Sequence, residues 1–383
     1  MDDAARVAFR DSKNDGMSSP IPTRSVVRRT LFRCALVAAL VLGAAALPPS
    51  LGLHAENRRL HLTRAEVFVI LAVLGTGAAL GLAAVASTAL LLRSLLCRSM
   101  RLGRAQRNVA LVFFGLGLAL AGVVLYARYV EPSRLTVRHH TIPLAGLTKP
   151  LRVVLFADVH SDPRFPVEDR LVTAIHAEQP DAIFFLGDSL NVEEHAERFR
   201  DTLARLHAPA KLAIRGNWDV WFWSDIDLFG GTGFDEISAG WRQVEVAGVP
   251  LRVGGHEFVD HWLPDQVLPP PPAGPGPAIF LYHATDYAHV AAARDVDLYL
   301  DGDTHGGQIA LPLYGPFLSI GRRGREFVRG LYRVGRTALV VTPGIGVERK
   351  VPLRFGVPPE ITVLHLVPGP AGANPRPGVA AIP

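Results

Sequence analysis

Cysteine is almost missing from this chain, with two residues, Cys34 and Cys97, in 383. Both lie in or beside hydrophobic runs, so everything after residue 127 is without a disulfide or a thiolate metal site. A metal bound there needs nitrogen and oxygen ligands. Strong charge of one sign is missing too: 40 Lys and Arg stand against 35 Asp and Glu, a net charge of +5. The arginines gather beside the hydrophobic runs and at 322–329, and form no basic stripe interleaved with aromatics. No nucleic-acid partner is therefore expected. Internal repeats are also absent.

What the chain does have is hydrophobic residues, 49% of the total. The excess falls before residue 130. Residues 1–33 are polar and of mixed charge, and form a separate N-terminal segment. Three uncharged stretches follow at 34–53, 67–92 and 109–127. A bilayer core needs ~20 apolar residues as helix. The second and third meet that length, whereas Pro48 and Pro49 interrupt the first, which also fits a signal anchor. Residues 34–127 are thus expected to be a three-span region in the cytoplasmic (inner) membrane, with lipids as neighbours. Seven basic residues precede the first stretch, and five arginines with no acid fill 93–108. The loop 54–66 carries three arginines opposed by Glu56 and Glu66. The positive-inside rule puts the first two segments in the cytoplasm and everything after residue 127 outside it. No ionisable residue interrupts the spans, which argues against a transport role for them.

Residues 128–150, with Pro132, Pro143 and Pro150, read as a linker. From 151 to 367, short apolar runs alternate with amphipathic stretches, which implies an α/β domain. Strands are predicted at 151–157, 182–186, 211–215, 278–282, 298–300, 338–341 and 360–366, and helices at 167–178, 193–207 and 287–294. The Pro/Gly/Ala-rich segment 368–383 cannot form a core and reads as a disordered tail.

Polar residues recur where these strands end. Asp158-Val159-His160 follows the first, Gly187-Asp188-Ser189-Leu190-Asn191 the second and Gly216-Asn217-Trp218-Asp219 the third. His283 follows the fourth, and Asp301-Gly302-Asp303-Thr304-His305-Gly306-Gly307 the fifth. Singly, a Gly-Asp pair is a turn and a lone histidine is a satisfied core residue. Ligand sites in α/β sheets lie outside the carboxyl ends of strands. Five successive strands delivering Asp, His and Asn to that edge point to a metal cluster.

In these motifs the chain resembles the calcineurin-like metallophosphoesterases, in particular a bacterial membrane-associated branch ending in a GHTHGGQ-type motif, here GDTHGGQ. The likeness continues through Gly330-Leu331-Tyr332, Pro343-Gly344-Ile345-Gly346 and Pro352-Leu353-Arg354-Phe355-Gly356. It implies two packed mixed sheets flanked by helices, and a hydrolase of phosphomonoesters, phosphodiesters or pyrophosphates. It also implies two divalent metals (Mn, Fe, Zn or Mg) bridged by Asp188. Asp158, His160 and His305 would complete the first site, with Asn217, His283 and Asp303 completing the second. Asp188, Asn217 and His305 would then be central to catalysis. Two such ions ~3.5–4 Å apart can share a bridging hydroxide and clamp the phosphoryl oxygens during in-line attack.

Three positions depart from the pattern. Trp218 stands where the family has a histidine that serves the leaving group. Asp303 replaces the first histidine of the last motif, and Asn191 a second aspartate. Two losses of histidine leave a metal-binding pseudoenzyme or sensing module as the alternative reading. Trp218, Arg322 and Arg323 are further candidates for substrate contact, the arginines through a phosphate or anionic head group. His256 and His261 are candidates to replace the missing acid.

Overall fold

Strands buried on both faces need cover on both faces, and the apolar runs of this chain receive it. The computed structural model describes residues 64–97, 101–164, 167–316, 326–349 and 351–370. It divides the chain into two units, one built on 67–117 and one on 118–370.

The first unit consists of apolar helix. Helix α1 is Arg64–Leu96 and α2 is Arg104–Leu125, whose last residues belong to the second unit. Ile70–Leu96 and Arg104–Ser133 are long and apolar enough to cross a membrane, by length and composition. Leu74, Leu82, Val85 and Leu118 expose about 60% or more of their surface. Such runs of exposed apolar side chains suit a lipid environment. The expected first span at 34–53 lies outside the described residues.

The second unit holds two six-stranded mixed sheets. The first has the order β1 (Thr136–Ala145), β14 (Glu360–Gly369), β2 (Leu151–Phe156), β3 (Ala182–Phe185), β4 (Ala210–Ala213), β5 (Asp235–Glu236). The second has the order β12 (Gly330–Val334), β13 (Thr337–Val341), β9 (Leu298–Asp301), β8 (Ala278–Leu281), β7 (Val249–His256), β6 (Ala239–Val246). A two-stranded hairpin, β10 (Ala310–Leu311) with β11 (Gly315–Pro316), stands apart.

Alternation along the strands sorts side chains into three layers. Val153, Leu155, Phe184, Ile279, Leu281, Leu298 and Leu300 face inward and form the core between the sheets. Val154, Phe156, Ile183 and Phe185 face outward, under Leu171 and Ile175 of α3 (Glu168–Glu178) and Phe199 and Leu203 of α4 (Ala196–Ala204). On the other side, Phe280, Tyr299 and Leu339 pack with Ala288 and Ala291 of α6 (Ala288–Ala293). Each large apolar side chain so buried contributes about 1.5–3 kcal/mol. A short helix α5 (Asn217–Phe222) follows β4.

Of the stretch expected as a linker, Thr136–Ala145 forms β1, ten residues in parallel register with β14 from Thr136↔Glu360 to Ala145↔Gly369. As an edge strand it tolerates Pro143. Ile142 and Leu144 enter the core while Val137, Arg138 and His139 stay exposed. β14 runs two residues into the expected tail, and 371–383 lie outside the described residues.

Strands β2, β3 and β4 run parallel, as do β7, β8 and β9. Parallel strands end at one edge, so five strand ends that bear polar motifs converge. His283 Nδ1 donates to the Leu186 carbonyl at 2.6 Å, tying the second sheet's edge to the first.

Candidate metal centre

The loops that leave these strands are held in an unusual backbone conformation. Asp158, His160, Asp188, Asp303 and His305 have φ of 51°, 42°, 60°, 62° and 50°. Aspartate tolerates this left-handed region, whereas histidine pays more for it. Residues held so cost of order 1–3 kcal/mol each, and such strain collects at functional sites. Close approach of the backbone reinforces the geometry. A Cβ on Gly216 would stand 2.2 Å from Asp188 Oδ1, and one on Gly187, at φ +95°, 2.2 Å from the Gly216 nitrogen.

Two buried ligand groups result, Asp158–His160–His305 and Asp158–Asp188–His283, each with its ligand atoms within 4.8 Å of one another. Asp188 Oδ2 lies 3.3 Å from His283 Nε2 and 3.5 Å from His160 Nε2. His305 Nε2 is 3.2 Å from His160 Nε2 and 3.6 Å from Asp158 Oδ1. Asp303 Oδ1 is 3.6 Å from His283 Nε2. Among the described residues, buried Asp158 Oδ2 and Asn217 Oδ1 accept no hydrogen bond. A divalent cation fits that donor set: carboxylate oxygens, an amide oxygen and imidazole nitrogens, all buried.

The electrostatics agree. Burial holds His160 at about 4, and burial with His160 and Arg354 nearby holds His305 well below the usual range. Both rings are therefore neutral, with a lone pair to give. Burial also opposes charge on His283, yet the carboxylates of Asp188, Asp158 and Asp303 outweigh it and lift it to about 10. Because its Nδ1 is committed to Leu186, Nε2 is the nitrogen facing them.

Two residues support this arrangement that sequence reasoning did not single out. The Asp219 carboxylate accepts from the backbone N–H groups of Asp188 (2.8 Å), Ser189 (2.8 Å) and Gly216 (2.9 Å). It thereby locks two metal-site loops together. Its place at the third residue of α5, reaching back to the N-cap, is a capping-box spacing that could have revealed it. Arg354 is fully buried: Nε donates to the Gly346 carbonyl, Nη2 to that of Pro343, and Nη2 lies 3.4 Å from His305 Nδ1.

Asn191 proves to be a strut. Its Nδ2 donates to the Val347 carbonyl at 2.8 Å and its Oδ1 accepts from the Arg349 N–H at 3.2 Å. An ionised aspartate could make only the second bond. Trp218 is 9% exposed and meets the His160 ring edge-on at 5.1 Å, while its backbone N–H donates to Asp188 Oδ1 at 2.9 Å. It forms a wall of the site. Arg322 and Arg323 lie outside the described residues. His256 Nδ1 is bonded to the Glu257 carbonyl, and His261 is exposed.

Two packed mixed sheets with a carboxylate–imidazole cluster at their common edge define a metal-dependent phosphoesterase. The calcineurin-like phosphoesterase model matches residues 151–307. The metallophosphoesterase YkuE of Bacillus subtilis is 32% identical over 272 residues, covering 65% of this chain and 91% of that one. The phosphodiesterase YaeI of Escherichia coli is 29% identical over 256 residues, 63% and 92% of the two chains. The metallophosphoesterase Cj0846 of Campylobacter jejuni is 23% identical over 302 residues, 69% and 73%. The chain belongs to the calcineurin-like metallophosphoesterases.

Proposed function

We propose that this protein is a membrane-anchored phosphoesterase with two divalent metals, and that phosphodiesters are its first substrates to test. The supporting observation is the pair of overlapping ligand groups that share Asp158 and meet around Asp188. In this reading Asp158, His160, His305 and Asp188 hold the first metal. Asp188, Asn217, His283 and Asp303 hold the second, where the extra carboxylate favours Mn or Mg over Zn. Two bound ions supply Lewis acidity toward the phosphoryl oxygens and an acidified water as nucleophile. The protein's own part is to fix these ligands before substrate arrives, through Asp219, Arg354 and the Leu186 carbonyl. The diesterase choice follows the name of YaeI. A lipid-linked substrate follows from anchoring.

Metal analysis of the full chain, with bis-nitrophenyl phosphate hydrolysis under Mn, Mg, Fe and Zn, tests the reading. Two metals per chain and metal-restored cleavage are expected. A chain that binds metal yet cleaves no phosphoester under any of the four is a pseudoenzyme, the reading that Trp218 and Asp303 favour.

The proposed placement has the spans in the cytoplasmic membrane and the phosphoesterase unit outside it. Seven basic residues before the first stretch and five arginines at 93–108 support it. A reporter that fluoresces only in the cytoplasm, fused after Pro383, should stay dark. A bright fusion reverses the orientation.

A further inference from the structure

The hairpin β10–β11 is joined by Pro312-Leu313-Tyr314, and all three side chains are exposed. Leu313 is fully exposed, at 106%, and is held at φ 64°. A bulky apolar residue in a left-handed conformation at a fully hydrated turn is doubly unfavourable in water. Glycine or asparagine would serve the turn better. Tyr314, beside it, is 47% exposed.

The hairpin's position supplies a reason. The Ala310 N–H donates to the Phe355 carbonyl at 2.7 Å, and Ile309 bridges Phe355 in parallel. On the segment's other connections, the Phe355 ring meets Tyr126 edge-on at 6.3 Å. The Arg354 N–H donates to the Ala127 carbonyl at 2.9 Å, and the Val357 N–H to Glu131 Oε1 at 2.6 Å. Residues 126–131 are the end of the last apolar helix. One segment, 354–357, therefore clamps both the foot of that helix and the root of the hairpin. Tyr126 and Tyr129, the latter 65% exposed, are the amphipathic residues found where a span leaves the bilayer. Three residues from Ala310 to Leu313 span at most about 10 Å, within the depth to which interfacial elements bury apolar groups.

The geometry points to Pro312-Leu313-Tyr314 as a membrane-dipping tip: Leu313 enters the acyl boundary of the bilayer that holds the last span, and Tyr314 sits at head-group level. The inference rests on the anchored reading above and goes beyond it. The hairpin starts five residues after His305, so the tip fixes the height of the metal centre above the lipid surface. A phosphoester at head-group level is then the substrate the site meets first.

The test uses the full chain with Cys34→Ser and Cys97→Ser, reconstituted in phosphatidylcholine–phosphatidylglycerol vesicles. An environment-sensitive fluorophore is placed at Leu313→Cys or, as an aqueous control, at Ala247→Cys in the exposed turn between β6 and β7. Nitroxide-bearing lipids should quench the label at 313 severalfold more than the one at 247, and aqueous iodide severalfold less. A label at 313 as open to iodide as that at 247, on protein that floats with the vesicles, overturns the inference and leaves the anchoring intact. Protein that does not float with the vesicles overturns both. Protection at 313 that grows with protein density means that a second copy covers the tip, and also overturns it. Since the tip is exposed, the substitution leaves the fold unchanged.

Discussion

Asp188→Asn should lower the metal content from two ions per chain and abolish metal-dependent hydrolysis. Asp188 Oδ2 is the oxygen placed near both histidines, 3.5 Å from His160 Nε2 and 3.3 Å from His283 Nε2. Its Oδ1 meanwhile accepts the Trp218 backbone N–H, a bond that asparagine can keep. The substitution thus removes one charge and hardly any volume. The loss should exceed the roughly 10²–10³-fold cost of deleting one neutral charge-stabilising donor, because here the scaffold for two cations goes. Metal counting, activity and thermal melting on the same sample give the answer. A folded Asp188→Asn protein with unchanged metal stoichiometry would remove Asp188 from the bridging position.

The second large effect concerns the leaving group. Proton transfer to a departing alkoxide is worth about 10²–10⁴ in rate. The indole of Trp218, wedged edge-on against His160, cannot act as that acid at neutral pH. Alkyl phosphodiesters should therefore be cleaved worse than nitrophenyl esters by more than their intrinsic reactivities explain. Nitrophenolate and pyrophosphate leave with little protonation, so those substrates escape the loss. The double change Trp218→His with Asp303→His should raise alkyl-ester turnover more than nitrophenyl-ester turnover. Equal rates on both classes in the wild type would show that another group delivers the proton.

Much of the site was legible because its strands are the most buried ones. β3, β8 and β9 hide every residue, so each reads as a short apolar run with a polar motif at its end. β1 and β6 escaped notice for the opposite reason. Each is an edge strand with exposed polar positions, Arg138 and His139 in β1 and Glu245 in β6. The pairing that makes β1 a strand joins residues 223 apart, as in the Thr136–Pro359 bond, and no local pattern carries it. The supports of the site were hidden likewise. Asp219 acts through three backbone N–H groups, and Arg354 looks like a surface arginine until the fold closes over it. Asn191 looked like a weakened ligand motif, and its two amide bonds show a strut.

The strand order has a consequence for how the protein is made. Among the described strands, β14, the last in sequence, lies between β1, the first, and β2, the second. Its two neighbours leave the ribosome early and must wait for it with a strand-wide gap between them. Until Gly369 has been synthesised, β1 has no partner, and Ile142 and Leu144 have no completed core to enter. Pairings of such long sequence separation are slow to form, because loop closure must come before any contact rewards it. A nascent chain would therefore display an open sheet edge at β2 until β14 emerges. Such an edge is a template for pairing with another chain, and a stop codon only slightly early would leave it open.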